Sequence, residues 1–370
     1  MSDVRVELRT VRIPLVRPFR TSRAVESEKD ALLVHWQSGE VDGWGECGAD
    51  LTPVFFPETL DGAHSMIKTV FLPMLADHDP ARLSGWQAKH IMDEVPGNQL
   101  AKAAVEMAVL DAQLRRAAMP LADFLGGAHR PVRVGVSVGI PQDIDQLLQW
   151  VSGYLADGYT RVKLKIQPGW DVEPVRAVRQ EFGDDLPLQV DANQAYRQSD
   201  ENVLRRLDDF GLLLLEQPFP KEELLAHARL AQRISTPICL DESVTSVHGA
   251  ATAIALGACQ VINIKPARVG GYLEATSIHD LCQANGIPVF CGGLLETGIG
   301  RAANLALATL PNFSLPGDIS ATSRYFARDI AQIFELRDGC LDMPAGAGTG
   351  ARVDPDALEA FTVHTETIDL

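Results

Sequence analysis

The stretch Arg161-Val162-Lys163-Leu164-Lys165-Ile166-Gln167-Pro168 decides how the rest of the chain is read. In a strand, successive side chains point to opposite faces, so Lys163 and Lys165 share one face while Val162, Leu164 and Ile166 take the other. Alone, the segment reads equally well as an edge strand guarded by lysines or as a strand lining an interior wall. Its surroundings favour the wall. Asp191 ends L-P-L-Q-V-D, Glu216 ends G-L-L-L-L-E, Asp241 ends P-I-C-L-D and Lys265 ends V-I-N-I-K, at intervals of 26, 25, 25 and 24 residues counted from Lys165. That interval is the length of one strand, loop and helix.

Continuing the period back gives Ser137 at the end of V-R-V-G-V-S-V, and continuing it forward gives Cys291 after I-P-V-F and a weaker L-P-G-D ending at Asp318. Eight such units predict a (β/α)8 barrel, whose active site forms at the C-terminal ends of the strands. Lys165 then ends strand two and Lys265 strand six, diametrically opposite, with three carboxylates on the arc between them.

Before the barrel, Val4 to Ile13, Ala31 to Gln37 and Val41 to Cys47 read as an antiparallel meander. Arg17 to Ser27 reads as a polar loop with basic residues, and Gly48 to Pro57 as an irregular piece carrying Phe55 and Phe56; such loops serve as lids or as solvated connectors. From Glu58 to about Leu125 the pattern is helical, with a stripe at Leu100, Val105, Met107, Ala108 and Leu110 to Leu114, and F-L-G-G at 124–127 as the stop. The expected division is an N-terminal α+β capping unit over 1–130, the barrel over 131–340, and a segment over 341–370 that returns toward the first unit.

Among 370 residues, 46% are apolar, enough for a large core, and 33 Lys plus Arg against 49 Asp plus Glu give a formal charge of -16. That balance argues against nucleic acid or an anionic membrane as partner. The six cysteines form no CxxC pair or Cys/His cluster and read as reduced thiols of a cytoplasmic protein. No apolar run resembles a signal peptide or a membrane span.

G135-V-S-V-G139 matches G-x-S-x-G, the nucleophile elbow, but that motif needs a sharp turn at the serine. Here valines alternate straight through it, so Ser137 is expected instead as a hydroxyl near substrate. The glycines of C291-G-G-L-L-E-T-G-I-G300 lack phosphate-loop spacing and are expected to let a substrate approach the backbone. Three carboxylates without histidine or cysteine suit a hard cation, Mg2+ or Mn2+. Such an ion can stabilise an enolate dianion, and Lys165, with Lys163 and the cation favouring its neutral form, can take an α-proton from a carboxylate substrate.

K-L-K, V-D-A-N, L-E-Q-P, L-D-E-S and I-K-P-A-R-V-G-G, at this spacing and behind a capping domain, resemble the muconate-cycloisomerase subgroup of the enolase superfamily. The handling of α-protons by a Lys base and Mg2+ is a property of that superfamily. P-F-R-T-S, G-V-S-V-G, R-V-K-L-K-I-Q-P-G-W-D-V-E-P-V-R, G-G-L-L-E-T-G-I-G-R-A and L-P-G-D-I-S resemble more closely the family of o-succinylbenzoate synthases that are also N-acylamino acid (N-succinylamino acid) racemases.

The resemblance implies a modified barrel with Asp191, Glu216 and Asp241 as Mg2+ ligands. Lys165 is implied as the base on one face, Lys265 as the opposing acid/base or cation, and Lys163 as the residue tuning Lys165. Asn193 and Glu242 are implied as support behind the metal, and Arg268 as an influence on Lys265. Ser137, Thr297, Leu295 and the loop Phe19, Arg20, Thr21, Ser22 are implied as substrate contacts. The expected reactions are syn dehydration to o-succinylbenzoate, in menaquinone biosynthesis, and racemisation of N-succinylamino acids, in a cytoplasmic homo-oligomer.

Two departures weaken sister readings. Where mandelate-racemase-like members place a histidine this chain has Cys291-Gly292-Gly293, and where dipeptide epimerases carry D-x-D it has G-D-I-S. A dipeptide epimerase or muconate-type cycloisomerase remains the alternative on the same barrel. A metal-free Schiff-base aldolase, detectable by borohydride trapping, and a noncatalytic binding barrel, indifferent to loss of the lysines, are the alternatives from other classes.

Overall fold

The computed structural model describes residues 4–370; the first three residues of the expected capping unit lie outside that range. Strands β1 (Val4–Arg20), β2 (Val25–Ser38) and β3 (Val41–Cys47) form the expected meander. The segment read as a polar loop, Arg17–Ser27, is a correction. β1 and β2 continue beyond the sheet as a two-stranded arm, pairing again at Phe19 with Glu26 and Arg20 with Val25 after the register breaks past Pro14. Pro14 and Pro18 interrupt the alternation that would have announced it, since proline removes a ladder donor. The actual turn, Thr21–Ala24, reaches the barrel mouth, where Ser22 Oγ donates to the Ala192 carbonyl at 3.3 Å and Arg23 Nε to that of Asn193 at 3.0 Å.

Helix Gln99–Arg116 is not the one-faced helix its stripe suggested, because nearly all of its positions are buried. A helix covered on every side is a core element. One side lies on β3, where a Cβ at Gly45 would sit 1.9 Å from the Ala104 carbonyl and one at Gly43 2.2 Å from that of Ala108. Only glycine permits this approach. The other side meets the barrel.

After the short β4 (Val132–Arg133), the barrel wall opens with β5 (Val136–Val138) and continues through β6 (Val162–Lys165), β7 (Leu188–Asp191) and β8 (Leu215–Glu216). It ends with β9 (Ile238–Leu240), β10 (Val261–Ile264) and β11 (Val289–Cys291). β5 to β11 lie side by side in chain order as one parallel sheet. The eighth position is filled by the weak run ending at Asp318, which is no regular strand. It closes the ring nonetheless, with the Asp318 N–H donating to the Cys291 carbonyl and the Gly135 N–H to the Gly317 carbonyl, both at 2.8 Å. β12 (Cys340–Leu341) pairs with β4, and β13 (Thr362–Asp369) joins the capping sheet beside β1. Among the described residues no helix is long and apolar enough to cross a membrane.

Buried acids of the capping unit cap barrel helices. Glu106 accepts from the Tyr272 and Leu273 N–H groups at 3.1 and 3.0 Å, at the start of helix Tyr272–Ala284. Glu46 accepts from the Thr297 and Gly300 N–H groups, both at 2.9 Å, at the start of helix Gly298–Leu307. Burial pushes the Glu106 carboxyl up to about 7 despite its two N–H donors. A carboxyl raised by folding binds its proton more tightly in the native state, so its contribution to stability is complete below about 4.5 and lost as pH rises through 7. We expect denaturation midpoints to show a loss on the order of 3 kcal/mol across that window. Glu106→Gln should flatten it, and an unchanged slope in that variant would refute the assignment.

Candidate active site

Regular strand alternation turns Lys163 and Lys165 of β6 inward, and ladder register then aligns Lys165 with Asp191 and Asp191 with Glu216 on neighbouring strands. Asp241 follows β9 and Lys265 follows β10, which brings all five charged residues to one end of the barrel. Lys165 Nζ donates to Asp191 Oδ2 at 2.6 Å and to Asn193 Oδ1 at 2.8 Å. Across the mouth, Lys265 Nζ donates to Asp241 Oδ2 at 2.7 Å, and Arg268 holds the other oxygen of the same carboxylate. Arg268 therefore meets Lys265 through a shared anion.

Lys163 is held by three carboxylates. Its ammonium contacts Glu216 Oε2 at 3.1 Å, Asp191 Oδ2 at 3.3 Å and, most closely, Asp318 Oδ2. Burial alone would lower its proton affinity, but Asp318, Glu216 and Asp191 raise it well above the ordinary lysine range. It is a fixed cation. Asp318, also held by Arg161 at 2.8 Å, is a site residue that the sequence reading used only to count the eighth unit. Burial would raise its carboxyl, yet Lys163 and Arg161 hold it far below the usual range.

The lysines, Asn193, Glu242, Ser137, Phe19, Thr21 and Leu295 line one cavity, together with Phe55, Phe56, Glu26 and Asp50. Aromatic and aliphatic side chains on one side face a convergent set of charged and polar groups on the other, the lining of a site for a small polar ligand. Ser137 Oγ is buried there without a hydrogen-bond partner. Leu295 holds φ 58°, a left-handed backbone that a branched side chain seldom adopts, and strain of this kind concentrates at functional sites. A Cβ at Gly292 would lie 2.7 Å from Lys265 Cε, so this glycine gives the lysine its room.

Three expected contacts are placed elsewhere. Thr297 is a helix N-cap whose hydroxyl donates to Glu46 at 2.6 Å, Ser22 turns to the Ala192 carbonyl, and Arg20 is exposed on the arm; none lines the cavity. Glu26 and Asp50 went unread because nothing in their local sequence marks them; only the arm and the Gly48–Pro57 segment folding over the mouth bring them in.

Asp191, Glu216 and Asp241 present oxygens alone from three adjacent strand ends, the donor chemistry of a hard divalent ion. Burial, and then the charge of Asp191, push the Glu216 and Glu242 carboxyls upward, and Glu242 Oε2 is buried without a partner. Negative charge is thus left undercompensated where a cation fits. Asp191 itself, raised by burial, is pulled down to about 2 by Lys165 and Lys163.

Residues 3–126 match the family described as the mandelate racemase/muconate lactonizing enzyme N-terminal domain, and residues 146–357 the enolase C-terminal domain-like family. An N-succinylamino acid racemase of Amycolatopsis sp is 52% identical over 358 residues, 96% of each chain. An o-succinylbenzoate synthase of Geobacillus kaustophilus is 44% identical over 96% of this chain and 95% of its own. The crystal structure of an enolase superfamily member from Listeria innocua superposes with a TM-score of 0.93 at 40% identity, covering 99% of this chain and 98% of that one.

Proposed function

The chain belongs to the mandelate racemase/muconate lactonizing enzyme family of the enolase superfamily, and from that premise we propose one site with two activities, o-succinylbenzoate synthase and N-succinylamino acid racemase. The observation that carries the proposal is the pair of ammonium groups, Lys165 and Lys265, lining one cavity from strands four positions apart in an eight-membered ring. A single base suffices for dehydration, whereas racemisation needs one on each face of the α-carbon.

Enolase superfamily members generally depend on a divalent metal ion. We assign it as Mg2+, with Mn2+ as a substitute, held by Asp191, Glu216 and Asp241. When bound, the ion supplies a Lewis acid for the substrate carboxylate. Lys165 Nζ, aimed by Asn193, removes the α-proton. In the dehydration it returns that proton to the departing hydroxyl, so that water leaves; in the racemisation Lys265 delivers a proton to the opposite face. Lys163, pinned by Asp318, holds the carboxylates in place and transfers nothing. Ser137 Oγ is free to bond the acyl arm, while Phe19, Phe55, Phe56 and Leu295 shed water from the reacting carbon.

The strand pairings support a division at about 130 and 340, with 341–370 rejoining the capping sheet through β13. Six free cysteines suit the cytoplasm. The test compares kcat/KM for the cyclohexadiene precursor and for N-succinyl-phenylalanine on one preparation. We expect both to be turned over. Dehydration slower by a thousandfold or more, about 4 kcal/mol in the barrier, would make this a dedicated racemase.

A further inference from the structure

Far from the barrel mouth, helix Leu60–Met66 and the terminal strand β13 bring together three side chains that ligate transition metals. His364 and Glu366 are two residues apart and so share one face of the strand, the face on which Ile368 joins the core beneath β1. His64 comes from the helix above. One ring nitrogen from each histidine and one Glu366 oxygen all lie within 4.8 Å of one another. His64 Nε2 is 3.4 Å from Glu366 Oε2 and the two rings are 5.9 Å apart.

A plain ion pair accounts for only part of this. Lys68 Nζ donates to Glu366 Oε1, which neutralises the carboxylate but leaves its second oxygen facing the histidines. His64 Nε2 is buried and has no hydrogen-bond partner, with Glu366 Oε2 standing 3.4 Å away. Leaving a buried polar atom unpaired is costly, and a ligated metal would relieve it.

We propose that His64, His364 and Glu366 form a second cation site, for a borderline divalent transition metal ion such as Zn2+, fastening β13 to helix Leu60–Met66. With bonds of about 2.0–2.2 Å, tetrahedral zinc sets its ligand atoms roughly 3.3–3.5 Å apart. The His64–Glu366 pair already meets that spacing, and exposed His364 has to close by at most about 1.5 Å, a side-chain rotation. Solvent completes the shell. Imidazole donors separate this site from the all-oxygen set in the barrel, because Mg2+ seeks oxygen and zinc accepts nitrogen.

The full chain, kept in excess Mg2+ so that the carboxylate site is filled, is titrated with Zn2+ by calorimetry and with Co2+ by its visible absorption. Wild type should take up about one further equivalent, and amide exchange across Thr362–Asp369 should slow as it binds. His364→Ala and His64→Gln should each weaken that uptake at least about tenfold and abolish the added protection, while turnover with Mg2+ stays unchanged. Absence of uptake by wild type, or the same uptake in both variants, would overturn the site. His364 is exposed, so its alanine variant folds; exchange without zinc verifies that.

Discussion

In D2O, Lys265→Ala should exchange the α-proton of one enantiomer of an N-succinylamino acid without inverting it, and Lys165→Ala should do the same for the other. Each amine is held on its own wall, Lys165 by Asp191 and Asn193, Lys265 by Asp241, so neither can cross to the opposite face of a bound substrate. Loss of one positioned base removes about 10²–10⁴-fold from the rate at its own face. Inversion, which needs both, falls by that factor in either variant, while proton NMR still shows exchange at the intact face. Dehydration divides differently: it should vanish with Lys165→Ala and only slow with Lys265→Ala, whose charge assists without taking the proton. If either variant exchanged both enantiomers equally, the assignment of faces would fail.

Lys163→Ala serves as the contrast. Its ammonium pairs with Asp318, Glu216 and Asp191 at once inside the barrel. Removing one partner of a buried charge set costs about 3–5 kcal/mol, so this variant should lose stability and both activities together.

The barrel and its five principal charged residues were legible because two periodicities coincide. Alternation within a strand sets which side chains face inward, and the βα interval of 24 to 26 residues sets which strand ends carry charge. Asp318 follows Cys291 at a near-equal interval of 27 residues, but its role is not legible locally, since Pro316 and Gly317 spoil its strand and its partner Lys163 lies 155 residues away. The surroundings of Thr297 were hidden for a related reason. What claims its hydroxyl is Glu46, 251 residues earlier, and a helix cap supplied across a domain joint leaves no local pattern. The arm at Arg17–Ser27 was hidden by its prolines. The tuning of Lys165 expected of Lys163 needs a charge fixed beside it, and what the local pattern did not reveal is that three acids from other strands fix that charge. Local pattern thus revealed what single strands and their period impose, and missed what distant segments decide by meeting.

Glu216→Gln should abolish turnover of every substrate without unfolding the protein. The substitution preserves volume and keeps a polar group facing Asn263, whose Nδ2 now donates to Glu216 Oε1 at 2.7 Å. It removes the central charge of the three-carboxylate set, so divalent-metal affinity measured by titration should fall by about 100-fold or more, beyond what loss of a mere supporting contact produces. The stability of the chelated protein should move the other way or not at all. Burial and the neighbouring Asp191 already strain the Glu216 carboxylate, as its raised proton affinity records, while Lys163 keeps Asp318 and Asp191 as partners. A neutral amide relieves that repulsion at the expense of one ion-pair contact, leaving the urea midpoint without metal unchanged or slightly higher. Function and stability then part at a single position, as expected where a site holds like charges together for a ligand. A variant that bound metal as tightly as wild type would remove Glu216 from the set, and one that unfolded without metal would show that the carboxylate serves the barrel before it serves catalysis.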